Sequence, residues 1–178
     1  VLVKLGKQDA NNDFNVAENA GEFVNSSFGI MPNVPLPTFP DPGLGIAAFI
    51  QLTGDVTLSA GVFDGQSDGS TWGFDTSFGG HAVSSSVVEI GLNRGILSVG
   101  GNRGAVKAGV WRHGGDYTVI GGDRTKPLNT GAYLILEQGL WGNGEYGSQV
   151  DMFLQYGYAT PEINDLPAYF GAGIRAQG

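Results

Sequence analysis

A chain of 178 residues has room for one folded domain, and with no cysteine it has neither a disulfide framework nor Cys-based metal or redox chemistry. Its formal net charge of −8, with no basic stripe, excludes nucleic acid as a partner. Charged residues make up only 15%, against a usual ~25%, while 31 residues are glycine.

Low charge, moderate hydrophobicity and abundant glycine suit a barrel with one face in lipid better than a soluble globule. The glycines follow no collagen period and aromatics are plentiful, so the excess is assigned to turns and to closely packed strands. No apolar run reaches the roughly 18 residues of a transmembrane helix. The first residues, VLVKLGK, already alternate like a strand and no signal peptide is visible, so the chain is read as a mature or partial sequence.

Residues 1–7 form the first expected strand, with Val1, Val3 and Leu5 on one face and Lys4 on the other. A long loop follows, 8–43, and its central stretch 14–42 breaks the alternating pattern of the chain. In its first half Phe14, Val16, Ala17, Ala20, Phe23 and Val24 are spaced by nearer three to four than two, which predicts one or two helical turns. Its second half carries Pro32, Pro35, Pro37, Pro40 and Pro42, which cannot donate ladder hydrogen bonds and so predict a rigid extended loop. The expectation is that this loop folds against the open end of a wall of strands, or into its interior.

Strands are then expected over 44–52 and 56–64, joined by a tight turn at Thr53-Gly54-Asp55, and over 84–93, 104–113, 131–141, 150–158 and 169–177. Alternation assigns faces. Val56, Leu58, Ala60 and Val62 oppose Thr57, Ser59, Gly61 and Phe63, and Val88, Ile90 and Leu92 oppose Glu89, Gly91 and Asn93. Val106, Ala108 and Val110 oppose Lys107, Gly109 and Trp111. Met152, Leu154 and Tyr156 oppose Asp151, Phe153 and Gln155, and Phe170, Ala172 and Ile174 oppose Gly171, Gly173 and Arg175. The strand over 131–141 is apolar on both sides and its faces stay open. Residues 65–83, 114–130 and 159–168 read as loops.

About eight strands of roughly nine to eleven residues match the length a tilted strand needs to cross a bilayer. Long connections after the first, third, fifth and seventh strands and shorter ones between fit an outer-membrane barrel. Tyr156, Tyr158, Tyr169 and Phe170 are expected in an interfacial aromatic girdle. A soluble β-sandwich also gives short strands with one apolar face, but its other face would carry more Lys, Glu and Thr. The fold class expected is therefore all-β, a transmembrane antiparallel β-barrel.

Several segments, in order through the whole chain, resemble one family. Lys4-Leu5-Gly6-Lys7-Gln8-Asp9-Ala10-Asn11 with Phe14, followed by Phe23-Val24-Asn25-Ser26-Ser27-Phe28-Gly29, is similar to the GK-x-D-x-N and F-x-NSSFG region of the carbohydrate-selective porins of the OprB type. Ala60-Gly61-Val62-Phe63-Asp64-Gly65, Ala108-Gly109-Val110-Trp111-Arg112-His113-Gly114-Gly115 and Phe153-Leu154-Gln155-Tyr156-Gly157-Tyr158-Ala159 resemble later motifs of that family. The resemblance implies a sixteen-stranded barrel in the outer membrane of a Gram-negative bacterium that passes sugars by diffusion through a constriction. About half of such a barrel is present here, with 8–43 as an inserted constriction or plug-like loop. The family pattern would continue past Gly178, and the C-terminal aromatic of a complete barrel is missing.

Within that reading the pore-lining candidates are Lys4, Glu22, Asn25, Glu89, Lys107, Trp111, Asp151, Gln155 and Arg175. Sugar passage needs donors and acceptors that replace hydration yet release the solute, and an aromatic face such as Trp111 can stack on a pyranose. Equally, the wall charges can pair across strands and stiffen the barrel, and Asn25 can serve a turn. Arg94, Arg103 and Arg124 read as ordinary surface charges. His81 and His113 lie far apart with no triad around them, so no catalysis is expected. Asp64-Gly65-Gln66-Ser67-Asp68-Gly69 lacks the alternating ligands of a calcium loop. No metal or cofactor is implied. The expected partners are small sugars as transported solute, outer-membrane lipid and, as an open option, further copies of the chain. Competing readings are a small structural or adhesive outer-membrane barrel without a conducting pore, and a soluble sugar-binding sandwich.

Overall fold

The computed structural model describes residues 1–66, 83–97, 103–142 and 148–178, all but the side chain of Ser26. Its strands are β1 (Leu2–Gln8), β2 (Gly43–Gln51), β3 (Val56–Asp64), β4 (Ser84–Leu92), β5 (Gly104–Thr118), β6 (Thr125–Trp141), β7 (Gln149–Ala159) and β8 (Ala168–Gln177). They form one antiparallel sheet in strict sequence order, β1 through β8. A sandwich needs a second sheet to cover the first. Here a single sheet holds every strand described.

The burial pattern places water-avoiding side chains on the outside. Val62, Val88, Ile90, Val110, Leu134, Phe170 and Ile174 are exposed, while Phe63, Val87, Trp111, Tyr133, Ile135 and Phe153 are buried on the opposite face. On β6, whose faces alternation left open, Tyr133, Ile135 and Glu137 point inward. Tyr169 was expected in the outer girdle. It lies on the inner face instead, where its O–H donates to the Ser27 carbonyl at 3.0 Å. Parity along β8 requires this, since Phe170 points out.

Glycine makes the inner face possible. Gly45, Gly109, Gly131 and Gly173 each sit directly opposite an aromatic residue: Phe63, Tyr133, Trp111 and Phe153. A Cβ at any of the four would come within 2.2–2.4 Å of the facing ring. Each ring therefore lies over its glycine and covers its backbone, leaving the wall thin enough to take a second layer.

That layer is the long connection between β1 and β2. Its predicted helical turns are three single 3₁₀ turns, Ala10–Asn12, Glu18–Ala20 and Ser26–Phe28. The helix does not propagate because the loop gives its backbone groups to wall side chains rather than to its own next turn. Phe14, Ala17, Ala20, Met31, Val34 and Leu36 of the loop form the core together with the inner face of the sheet.

Residues 114–130 were expected to be a loop. Instead β5 and β6 continue as a paired ribbon that closes in a turn at 119–124, where Val119 N–H donates to the Arg124 carbonyl at 2.8 Å. Pro127 lies within this ribbon. It falls where the register shifts between Gly114 and Tyr117, so its missing N–H breaks no ladder bond.

Candidate pore-lining site

The inner layer is tied to every strand of the wall. Lys4 on β1 donates to Asp13 at 2.5 Å. The Phe14 ring packs against Phe49 of β2 and Phe63 of β3, at centroid separations of 5.5 and 6.1 Å. On β4, Glu89 accepts the Asn15 N–H at 3.0 Å. Lys107 of β5 donates to the Val16 carbonyl at 2.7 Å, with Glu18 at 3.9 Å. Glu137 on β6 accepts the Asn19 N–H at 2.7 Å, and Gln155 on β7 donates to the Phe28 carbonyl at 2.7 Å. The Arg175 guanidinium on β8 grips Glu22 through two bonds of 2.9 and 2.8 Å.

All seven strand candidates therefore share the inner face, but they differ in what they touch. Glu89, Trp111, Asp151 and Gln155 are buried, between 2% and 7% exposed, beneath the loop. Lys4, Lys107 and Arg175 retain partial exposure and meet loop carboxylates, the half-buried Asp13 and the exposed Glu18 and Glu22. The two loop candidates are exposed. Glu22 pairs with Arg175, and Asn25 accepts from the Ser27 N–H and O–H at 3.1 and 2.8 Å, fixing the third turn. Trp111 lies over Gly131 and its indole face is spent on the wall.

Sequence reasoning missed several contributors. Tyr133 donates its O–H to Glu89 at 2.7 Å, so one carboxylate holds both the loop and the neighbouring strand. Asn15 has φ 59°, a left-handed conformation that asparagine tolerates, and this aims its N–H at Glu89. His113 lies between the Gly65 carbonyl at 2.9 Å and the Tyr117 hydroxyl at 2.5 Å. Arg103 is no ordinary surface charge: it clamps Gln149 and the carbonyls of Trp141 and Gly142. His81 and the 67–69 part of the calcium-like stretch lie outside the described residues. Among the described residues no group of three or more His, Asp or Glu side chains could hold a metal ion.

Between the first half of the loop and β2–β5 a hollow of about 220 Å³ remains open. Asp13, Glu18, Thr57, Ser59, Asn93, Lys107 and the Phe49 ring are among the groups around it. Carboxylates, hydroxyls, an amide, an ammonium and an aromatic ring in one polar hollow can replace the hydration of a hydroxyl-rich solute.

A single antiparallel sheet, apolar on its exposed face and covered inside by a loop that packs on its inner face, defines the wall of an outer-membrane β-barrel. The chain matches the carbohydrate-selective porin, OprB family, over residues 1–178, and it belongs to that family of Gram-negative outer-membrane barrels. Among solved structures it is similar to the high-pH structure of Pseudomonas putida OprB, with a TM-score of 0.76 and 16% identity, over 99% of this chain and 46% of that one. The chain thus spans about half the length of that structure. No curated protein matches by sequence.

Proposed function

We propose that this chain builds part of the wall and the constriction of a water-filled pore through which small sugars diffuse passively across the outer membrane. The observation that supports this most is the inner loop: it touches all eight strands from the side away from the apolar face. Lipid takes one face of such a wall, and an aqueous path bordered by the loop takes the other.

The solute-facing groups in this reading are the partly exposed pairs Lys4–Asp13, Lys107–Glu18 and Arg175–Glu22, together with the hollow beside Phe49. Solvated ion pairs are worth at most about 1 kcal/mol, so they can lend a donor or acceptor to a passing hydroxyl and take it back. Glu89, which also borders the hollow, and Gln155 hold the loop in place, while Trp111 packs over Gly131 and Asp151 is buried on the inner face. Asn25 serves the turn. The channel catalyses no reaction, and the acidic total gives mild exclusion of anions.

Proteoliposomes carrying the intact protein test the reading. They are expected to swell in isosmotic monosaccharide, with rates that fall as the sugar lengthens. Failure to swell in any sugar would refute a sugar-conducting pore and would favour a structural barrel.

A further inference from the structure

The outer face carries a feature that a plain hydrocarbon-facing wall does not need. On β4, β5 and β6 the first polar residues toward the long-loop side fall in one register row: Ser86 opposite Arg112, and Arg112 opposite Thr130. The next row is apolar, Val88–Val110–Ala132, and the one after it is Ile90–Ala108–Leu134. The row of Arg112 therefore marks the edge of the apolar band, where hydrocarbon gives way to headgroups.

Below this row the surface is hollow, because Ala108 and Ala132 are short while their neighbours are not. A groove of about 450 Å³ runs among Leu58, Val88, Ile90, Ala108, Val110 and Ala132. That is about three times the ~150 Å³ that accommodates a benzene. It shares Val88 and Val110 with a second hollow of about 230 Å³ that ends at Ser86 and Arg112. Arg112 is exposed, and among the described residues no carboxylate or carbonyl pairs with its guanidinium. Lys126, further out on β6, is by contrast already neutralised by Glu162 at 2.5 Å.

We propose that Arg112, with the Ser86 hydroxyl beside it and the apolar groove beneath, is a binding site for one phosphate-bearing lipid of the surrounding membrane. A guanidinium fork suits a phosphate, and the groove takes one acyl chain of the same molecule. The charge and the trough are matched in order and direction: anion at the interface, alkyl chain toward the bilayer centre. This goes beyond sugar passage and uses the opposite face of the wall.

The test uses the intact protein in non-ionic detergent, mixed with dioleoyl phosphatidic acid, with the matching diacylglycerol, or with inorganic phosphate, and read by native mass spectrometry. One phosphatidic acid per chain is expected to survive transfer, with diacylglycerol and inorganic phosphate each retained at least about tenfold less. Arg112→Gln should lower phosphatidic acid retention about tenfold, and Arg112→Lys less. Ala132→Phe fills the groove while leaving the cation, and should also lower retention. If Arg112→Gln fails to assemble, Ala132→Phe against wild type decides the matter. Equal retention by wild type and variant overturns the proposal. So does inorganic phosphate held as firmly as the lipid. Separation of a homo-oligomer by Ala132→Phe with lipid retention unchanged also overturns it, assigning the groove to a second copy of the chain.

Discussion

Glu89 offers the sharpest test of how the inner loop is held. Its carboxylate is 7% exposed and accepts two bonds, from the Asn15 N–H at 3.0 Å and the Tyr133 O–H at 2.7 Å. Truncation by Glu89→Ala leaves both donors buried without an acceptor. Hydrogen bonds to a charged group are worth about 1.5–3 kcal/mol each, so the two together cost about 3 kcal/mol at the lower bound. Phe14 and the other strand anchors still hold the rest of the loop, so the loss falls on the span around Asn15. Local opening there should become roughly 100-fold more frequent. Hydrogen exchange of loop peptides, read by mass spectrometry on the protein in detergent, measures this directly. Glu89→Gln keeps one acceptor oxygen without its charge and should fall between wild type and Glu89→Ala. If Glu89→Ala leaves exchange around Asn15 unchanged, Glu89 does not anchor the loop and the division between holding and solute-facing residues fails.

Gly109→Ala places a methyl 2.2 Å from the Tyr133 ring and should lower unfolding stability in urea by about 1–3 kcal/mol; an unchanged midpoint would contradict the ring-over-glycine account. Phe14→Ala empties the fully buried site between Phe49 and Phe63 and should cost about 3–5 kcal/mol, seen as a lower midpoint and as new protease cleavage within 9–42. At the outer connection, the hydrogen bond and charge of Lys126 hold Glu162 below the usual carboxylate range. A lowered folded-state pKa means that the pair contributes above the ordinary Glu range and that its contribution is lost as pH falls through the folded value. Both partners are well exposed, so wild type and Glu162→Gln should differ only slightly at neutral pH in low salt, and not at all in acid or in ~1 M salt.

Much of this architecture was legible because a lipid-facing strand must alternate without exception. The expected strand over Val56–Asp64 matches to the residue, and Ser84–Leu92 differs only in Asn93, since on each the outward positions are mostly apolar and the inward ones mostly small or polar. The ribbon beyond His113 was hidden because Gly114, Gly115 and Pro127 are loop signals wherever no bulge accommodates them. The faces of β6 could not be read from hydropathy, but Gly131 held the clue: a glycine facing Trp111 belongs to the inner side. Alternation assigns the seven strand candidates to one face and is silent about their depth. Alternation says that Glu89 and Lys107 point inward, but it cannot say that a loop 74 residues away along the chain buries the first and leaves the second partly open. That outcome depends on tertiary packing of Phe14 and Asn15, which leaves no periodic trace.

Single nitroxide labels at 87, 88, 89 and 90 on β4 of the protein in bilayers test the central claim most directly. The two faces of this strand must meet different surroundings if the sheet is a barrel wall. Labels replacing Val88 and Ile90 should be relaxed by oxygen dissolved in the lipid and shielded from a water-soluble nickel complex. The label replacing Val87 should be shielded from oxygen under the cover of the loop, and the label replacing Glu89, which removes a loop anchor, should be relaxed by the nickel complex rather than by oxygen. Val88 and Ile90 positions as inaccessible to oxygen as Val87 would place both faces in a dry protein interior and contradict the account.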